Sequence, residues 1–426
     1  MQYTRSHWLQ SFAAIAIAFS FVFAILTLWL SSFWPVSIFE ILILLTAAIV
    51  VMHGETPNLS ASYPLFVLMF AALWGLLQLA TGHTAYRYET GRAVIQWLTW
   101  AAVYYLGLFA FRSATIRRAF LDGLVWFGFL LASEAIVQAY VFPEKIFALF
   151  PAPYPNLVMG PVLYHTHYAV IVGTILPIAL YKALHGRIRP YLYLGIAIIL
   201  FISVVVSASR GGLIIVSLEA VAVFVLLYLR RDFRRGVMQR EAGAIAVTLV
   251  AIAGIFVGIA GYGAISMLLR PGSMLHGRVE YALSTIHMIA HQPWMGFGLG
   301  TWSTVYPAYA MFDPWAFVNQ AHCDWLQWTA EGGLPLGILM VSLFVWTVPH
   351  SIRSIWGIGA IAAFVHAIFD YPFSRPAIGA LPILIMAMVA AQRAAGARSQ
   401  SRLENESTLP LQPTGRLPAV PSPGAR

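Results

Sequence analysis

Residues 203–235 read "SVVVSASRGGLIIVSLEAVAVFVLLYLRRDFRR". From Gly211 to Leu229 the stretch is apolar apart from Glu219 and Ser217, and it is as long as the hydrocarbon core of a bilayer requires of a helix. A single arginine, Arg210, stands before it, and the cluster "RRDFRR" follows it. Lys and Arg are retained on the cytoplasmic side during insertion, so the cluster marks the inner end of this span. Arg210 then lies at the outer end, where a cation needs a separate reason.

Working outward, the rest of the chain repeats the same pattern. Of its 426 residues 60% are hydrophobic and 10% charged, and the mean hydropathy is +0.77. That is too apolar for a water-soluble domain and predicts an all-α polytopic membrane protein. Apolar runs fall near 8–31, 36–53, 64–81, 94–111, 119–141, 165–184, 191–207, 211–229, 243–266, 334–350, 355–371 and 376–392, about twelve spans of the length a bilayer needs. The first has a basic start but leads into "SSFWP" rather than a small-residue cleavage site, so it reads as an uncleaved span. Counting from "RRDFRR" places both termini in the cytoplasm and leaves most of the 25 Lys and Arg inside. The net charge of +9 is thereby explained without a nucleic-acid partner. The lone cysteine, Cys323, excludes an internal disulfide and a cysteine zinc cage.

The domain organisation expected is one transmembrane domain, 1–392, and a polar, Pro-rich cytoplasmic tail, 393–426, of disordered character. Two external segments are long, near 142–164 and 267–333. The second, between the ninth and tenth spans, is the largest soluble element, and loops of that length are usually functional.

Within it, "HGRVEYALSTIHMIAHQPW" places Val279, Leu283, Ile286 and Ile289 at helical spacing and reads as an amphipathic helix on the membrane surface, with Arg278 at its start. The glycines of "QPWMGFGLGTW" lack the strand–turn–helix context of a nucleotide site, so they read as a tight turn. "NQAHCDWLQWTAEGG" then concentrates His322, Asp324 and Glu331. Arg210 joins charge, helix dipole and free backbone N–H groups in one place, which suits an anion. "YHTHYA" contributes His165 and His167, and "HAIFDYPFSRP" contributes His366, Asp370 and Arg375, with His366 and Asp370 one helical turn apart. Each cluster also has a bland reading: snorkelling for the arginines, a pin between helices for the His–Asp pair. Glu134 and Glu219 lie within spans, where a proton relay and an interhelical hydrogen bond explain them equally well. No third ligand at a recognisable spacing completes a metal site. The aromatics Trp302, Tyr306, Tyr309, Trp315, Trp325 and Trp328 read first as an interface belt and second as sugar platforms.

In this order, "SASRGG", "GRVEYALSTIHMIAHQPWMGFGLGTWSTVYPAY", "AHCDWLQWTAEGGLP" and "HAIFDYPFSRPA" resemble the O-antigen ligase and polymerase superfamily of bacterial inner-membrane glycosyltransferases, over about Gly160 to Pro382. The resemblance implies a periplasmic catalytic loop between the ninth and tenth helices. It implies transfer of a glycan from undecaprenyl pyrophosphate to an acceptor hydroxyl in surface-polysaccharide synthesis, with no nucleotide sugar, no cofactor and, for ligases, no metal. It places the loop histidine on His322 and the pyrophosphate-binding arginines on Arg210 and Arg278. Glu331 is the second candidate for the base; His165, His167, Asp324, His366, Asp370 and Arg375 are possible support. Many relatives have Asn where this chain has Cys323.

The expected partners are the lipid-linked glycan donor, a lipid A–core or glycan acceptor, and membrane lipids. Ligase stands slightly ahead of polymerase because one external loop dominates. A protein O-oligosaccharyltransferase comes next, and a transporter or flippase is the rival outside the class. That rival needs polar residues along a mid-membrane path, whereas the richest polar cluster lies outside the membrane.

Overall fold

The computed structural model describes residues 2–54, 61–153, 158–185, 189–230, 274–311 and 317–408. Eight helices fill the first half: α1 (Gln2–Leu26), α2 (Trp34–Met52), α3 (Tyr63–Thr81), α4 (Arg87–Ala110), α5 (Ala114–Val141), α6 (His165–His185), α7 (Pro190–Val206) and α8 (Arg210–Leu229). Four longer helices follow, α9 (Met274–His291), α10 (Asp324–Arg353), α11 (Ile358–His366) and α12 (Pro376–Thr408), with a single helical turn, Trp302–Val305, between α9 and α10. Nine of these helices, among the described residues, are long and apolar enough to cross a membrane. The chain is an all-α, multi-pass membrane protein. The expected ninth span, 243–266, lies outside the described residues.

Local signals set the ends. Pro35, Pro64 and Pro190 occupy first-turn positions, where the missing N–H costs nothing. Ser113 and Ser209 cap α5 and α8 by accepting from the backbone N–H of Ile116 and Gly212. Between α5 and α6 the chain forms a two-residue antiparallel hairpin, Lys145–Ile146 with Phe150–Pro151.

Helices α4 and α6 are buried along most of their length and form the centre of the bundle, with the first half of α12. Around them, α1, α2, α3, α5, α8 and α10 turn large apolar side chains outward: Phe19, Leu45, Phe66, Leu130, Leu218 and Ile338 are all exposed. On a water-soluble protein such a surface would aggregate; in a bilayer it meets hydrocarbon.

Three expectations need correction. The apolar run 355–371 does not make a full-length span. Its helix, α11, has nine residues. Arg230, at the end of α8, donates to the carbonyls of Ile352 and Arg353, while the Asp324 N–H at the other end of α10 donates to Ala367 O. The chain therefore returns along α10 with little helix, which the membrane tolerates because α11 is enclosed by α6, α8, α10 and α12. Second, α12 continues to Thr408 rather than ending at 392. The Ala-rich sequence there favours helix. Residues 409–426 lie outside the described residues. Third, Trp302, Tyr306 and Trp328 are buried rather than arrayed at an interface. Trp302 donates its indole N–H to Thr285 Oγ1 at 3.0 Å and stacks on Tyr306, so these two rings belong to a small second core beside α9, whereas Trp328 packs in the main core of the bundle. Trp315 lies outside the described residues.

Candidate functional site

The glycine-rich turn after α9 is clasped by Glu331. Its carboxylate accepts from the backbone N–H of Gly300 (2.8 Å) and Trp302 (3.2 Å) and from Gln327 Nε2 (3.0 Å). Its main-chain carbonyl accepts from Gly298 N and from Gln78 Nε2. Gln78, buried in α3, also donates to Met295 O at 2.6 Å and accepts from Leu299 N at 3.0 Å. The turn is thus fastened to the membrane bundle by one amide and to α10 by one carboxylate.

Glycines make the close approach possible. Gly333 has φ 72° and ψ 178°, and a Cβ there would lie 2.1 Å from Trp294 O. Only glycine reaches that conformation without strain, and none with a side chain would fit. It divides α10 into a first part of about two and a half turns beginning at Asp324 and a longer apolar part beginning at Leu334.

Asp324 performs the second clasp. Its backbone N–H donates to Ala367 O and Asp370 O, and its carboxylate accepts from Phe373 N (2.9 Å) and Ser374 Oγ (3.3 Å). The segment 367–374 is thereby fixed against the start of α10. The same segment meets two more helix starts: Phe369 packs where a Cβ on Gly211 of α8 would sit, and Tyr371 contacts His167 of α6. The N-termini of α6, α8 and α10 therefore converge on residues 367–374. Three positive dipole ends at one place favour an anion.

The charged side chains reinforce that field. Arg278 donates to Phe369 O at 3.0 Å, leaving most of its five N–H donors free for other acceptors. Arg210 occupies the first position of α8, and among the described residues no hydrogen bond engages its guanidinium. Arg278 and Arg375 both act electrostatically on Tyr371, so they flank the same ring.

His322 sits in the left-handed region (φ 54°), just before Cys323, the residue that precedes α10. Its ring stacks on Tyr281 at 5.6 Å and meets the edge of Tyr371 at 4.8 Å. Burial and the nearby Arg278 charge pull its pKa down to about 4, against the opposing effect of Asp370. The imidazole is therefore neutral at ordinary pH and able to accept a proton.

Around Tyr371 several buried polar atoms lack a hydrogen-bond partner among the described residues: His322 Nδ1, His165 Nδ1, His167 Nε2 and Asp370 Oδ2. Asp370 Oδ2 lies 3.7 Å from His366 Nε2, beyond hydrogen-bond range. Buried polar groups are nearly always satisfied, so four orphans in one locale mark a place where something polar binds.

Of the candidate site residues, Arg278, His322, His165, His167, His366, Asp370, Asp324 and Arg375 gather around residues 367–374, and Arg210 starts the helix whose Gly211 meets Phe369. Glu331 is the exception in position: it lies at the glycine turn, with its carboxylate occupied by protein donors. Sequence reasoning missed Gln78, Tyr281, Tyr371 and Ser374. Of these only Gln78 carried a signal, as a lone amide in an apolar span.

The fold is that of a polytopic membrane protein, and three of its helix N-termini gather with arginines and histidines around residues 367–374. The family model described as O-antigen ligase matches residues 195–341, a segment that holds Arg210, Arg278, His322 and Glu331. The match covers about a third of the chain and supports a place in the O-antigen ligase/polymerase superfamily. A comparison with curated proteins finds no match.

Proposed function

We propose that the protein is an O-antigen ligase-like glycosyltransferase of the bacterial inner membrane, acting at the periplasmic face on an undecaprenyl-pyrophosphate-linked glycan and joining it to a lipid A–core hydroxyl. The observation that carries this reading is the group of orphaned buried polar atoms near Arg278 and Arg375, where three helix N-termini converge and Arg210 opens one of them. A pyrophosphate supplies acceptors for the arginine and histidine N–H groups, while Asp370 Oδ2, itself an acceptor, is left for a donor such as a substrate hydroxyl.

The chemistry needs a base and a cationic leaving-group site, but no nucleophile on the protein. The acceptor oxygen attacks the anomeric carbon and forms the new glycosidic bond as the bond to the pyrophosphate oxygen breaks. The hydroxyl proton passes to neutral His322, and the departing electron pair stays on the lipid pyrophosphate, where Arg210 and Arg278 hold the charge. Glu331 acts as a positioning residue that fixes the loop carrying these groups. No metal enters any step.

A deletion strain tests the reading through its surface polysaccharide on a gel. Loss of a ligase leaves bare lipid A–core with lipid-linked polymer accumulating. Core capped by a single repeat unit reassigns the protein as a polymerase, and an unchanged pattern rejects both.

A further inference from the structure

The far end of α10 from His322 carries a second group of cations. That helix begins beside the histidine at Asp324 and finishes at Arg353. There Arg230, from the end of α8, donates to the carbonyls of Ile352 (2.7 Å) and Arg353 (2.8 Å), which satisfies the carbonyl-rich terminus of α10. Arg353 itself is exposed. Arg393 reaches the same place from α12, since its charge and that of Arg353 both act on the His350 ring. Among the described residues no carboxylate pairs with any of the three arginines.

Two buried polar atoms here have no hydrogen-bond partner: Arg393 Nη1 and Ser351 Oγ. Gly357 links them. A Cβ on that glycine would lie 3.6 Å from Ser351 Oγ and 2.6 Å from the Val389 side chain, and Val389 precedes Arg393 by one turn on the same face of α12. The tendency of arginine to collect at one face of a membrane protein accounts for charge at this end. It does not account for a guanidinium N–H and a hydroxyl enclosed without an acceptor, because buried donors are nearly always satisfied.

The surface that leads to this point is apolar. Ile338, Val345 and Ile352, two turns apart along one face of α10, are all exposed. From Ile338 to Ile352 the stripe is about 21 Å long at 1.5 Å per residue, more than half of a hydrocarbon core of about 30 Å. A ligand that meets both features has a long apolar chain and an anionic head.

We infer that Arg353, Arg393 and Ser351 hold the phosphate of an anionic phospholipid whose acyl chain runs along Ile338, Val345 and Ile352. The site is separate from that of the proposed transfer and does not depend on it. The guanidinium groups supply charge and paired N–H donors for phosphate oxygens, and the Ser351 hydroxyl supplies a further donor. A net negative headgroup is preferred to a zwitterionic one because the arginines act on the net charge as well as on the phosphate.

Native mass spectrometry of the purified full-length protein, titrated with dioleoyl-phosphatidylglycerol or dioleoyl-phosphatidylcholine, tests the site without any glycan donor. A basic residue near an anionic headgroup is worth about fivefold in affinity, so one phosphatidylglycerol should bind at least about tenfold more tightly than phosphatidylcholine. Arg353→Gln combined with Arg393→Gln should erase that preference, and Ser351→Ala should weaken phosphatidylglycerol binding. Arg118→Gln removes an exposed arginine on α5 and should leave the preference unchanged, which separates this site from the general charge of the protein. Equal binding of the two lipids by the wild type overturns the inference, as does a preference that survives the double substitution or that Arg118→Gln erases equally. Inorganic phosphate bound by the protein in phosphatidylcholine nanodiscs and lost in the double variant, with no preference for phosphatidylglycerol, assigns the site to a soluble anion and overturns it too.

Discussion

Tyr371 stands edge-on to His322, with ring centroids 4.8 Å apart and planes at 86°. It holds the same relation to His167 on its other side, at 4.8 Å and 88°. One aromatic ring therefore sets the position of the proposed base against α6. Tyr371→Ala should cut kcat strongly while KM for the donor changes little, because the arginines remain in place. Tyr371→Phe keeps the ring and should retain most activity. A Phe variant as poor as the Ala variant would instead give the hydroxyl a direct role.

Arg210 and Arg278 should each be needed for transfer. Loss of one preorganised donor to a developing charge typically costs about 10²–10³-fold in kcat, and Arg210→Ala and Arg278→Ala should fall in that range when rates are normalised to protein in the membrane. Lysine should rescue only in part, since a point charge does not reproduce the guanidinium fork. Wild-type rates in both alanine variants would remove the clamp.

His322→Ala and His322→Gln should both lose about 10²–10⁴-fold while still binding the lipid-linked donor. The pH dependence has a definite sign. An ordinary histidine titrates near 6.5, but His322 is held down to about 4, so kcat/KM should stay flat through pH 6.5 and fall only as pH drops toward 4. A bound pyrophosphate favours the imidazolium, so the acid limb of kcat should lie at higher pH than that of kcat/KM. The same depression means that His322 contributes stability above pH 6.5 and that this contribution is lost as pH falls through about 4. His322→Gln should therefore flatten the melting temperature over that interval.

Glu331→Ala should destabilise the protein, because it strands the N–H groups of Gly300 and Trp302. Each buried donor left unsatisfied costs about 1–3 kcal/mol, measurable as a lower melting temperature in detergent. Glu331→Gln retains one acceptor and should fall between. If Glu331→Gln melts like the wild type yet has lost transfer, Glu331 works as an acid or base and not as a clasp. Gly333→Ala should not accumulate folded protein, given its φ of 72° and the 2.1 Å approach to Trp294 O.

Topology is open to a direct measurement. Reporter fusions at Arg235 and Pro307 should give opposite signals, cytoplasmic at the first and periplasmic at the second, as the Lys/Arg asymmetry predicts. A cytoplasmic signal at Pro307 would invert the orientation and with it the side on which the proposed transfer occurs.

The spans were legible because a bilayer imposes a length on every apolar run that crosses it. That rule also explains the failure at 355–371: apolarity there reflects enclosure by other helices, and composition does not tell protein interior from lipid. Arg210 could be placed at a helix start because the boundary between "SASR" and the following apolar run is sharp. Tyr371 could not be placed beside His322 and His167, since nothing local in "FDYPF" records which helices it will meet. Asp324 illustrates the same limit. In the sequence it reads as possible support for the site, whereas its partners, Phe373 and Ser374, lie some fifty positions away (49 and 50) and become visible only in three dimensions.

The bonds from Gln78 to Met295, Leu299 and Glu331 bear on how such proteins can diverge and be re-engineered. An external loop secured by a side chain from a distant membrane helix is not a transferable cassette. Grafting residues 274–333 onto another scaffold, or receiving a foreign loop here, succeeds only when the α3 amide and the backbone groups of Met295, Leu299 and Glu331 that it bonds travel together. Changes in the loop are therefore coupled to changes in a helix that touches neither the base nor the arginines.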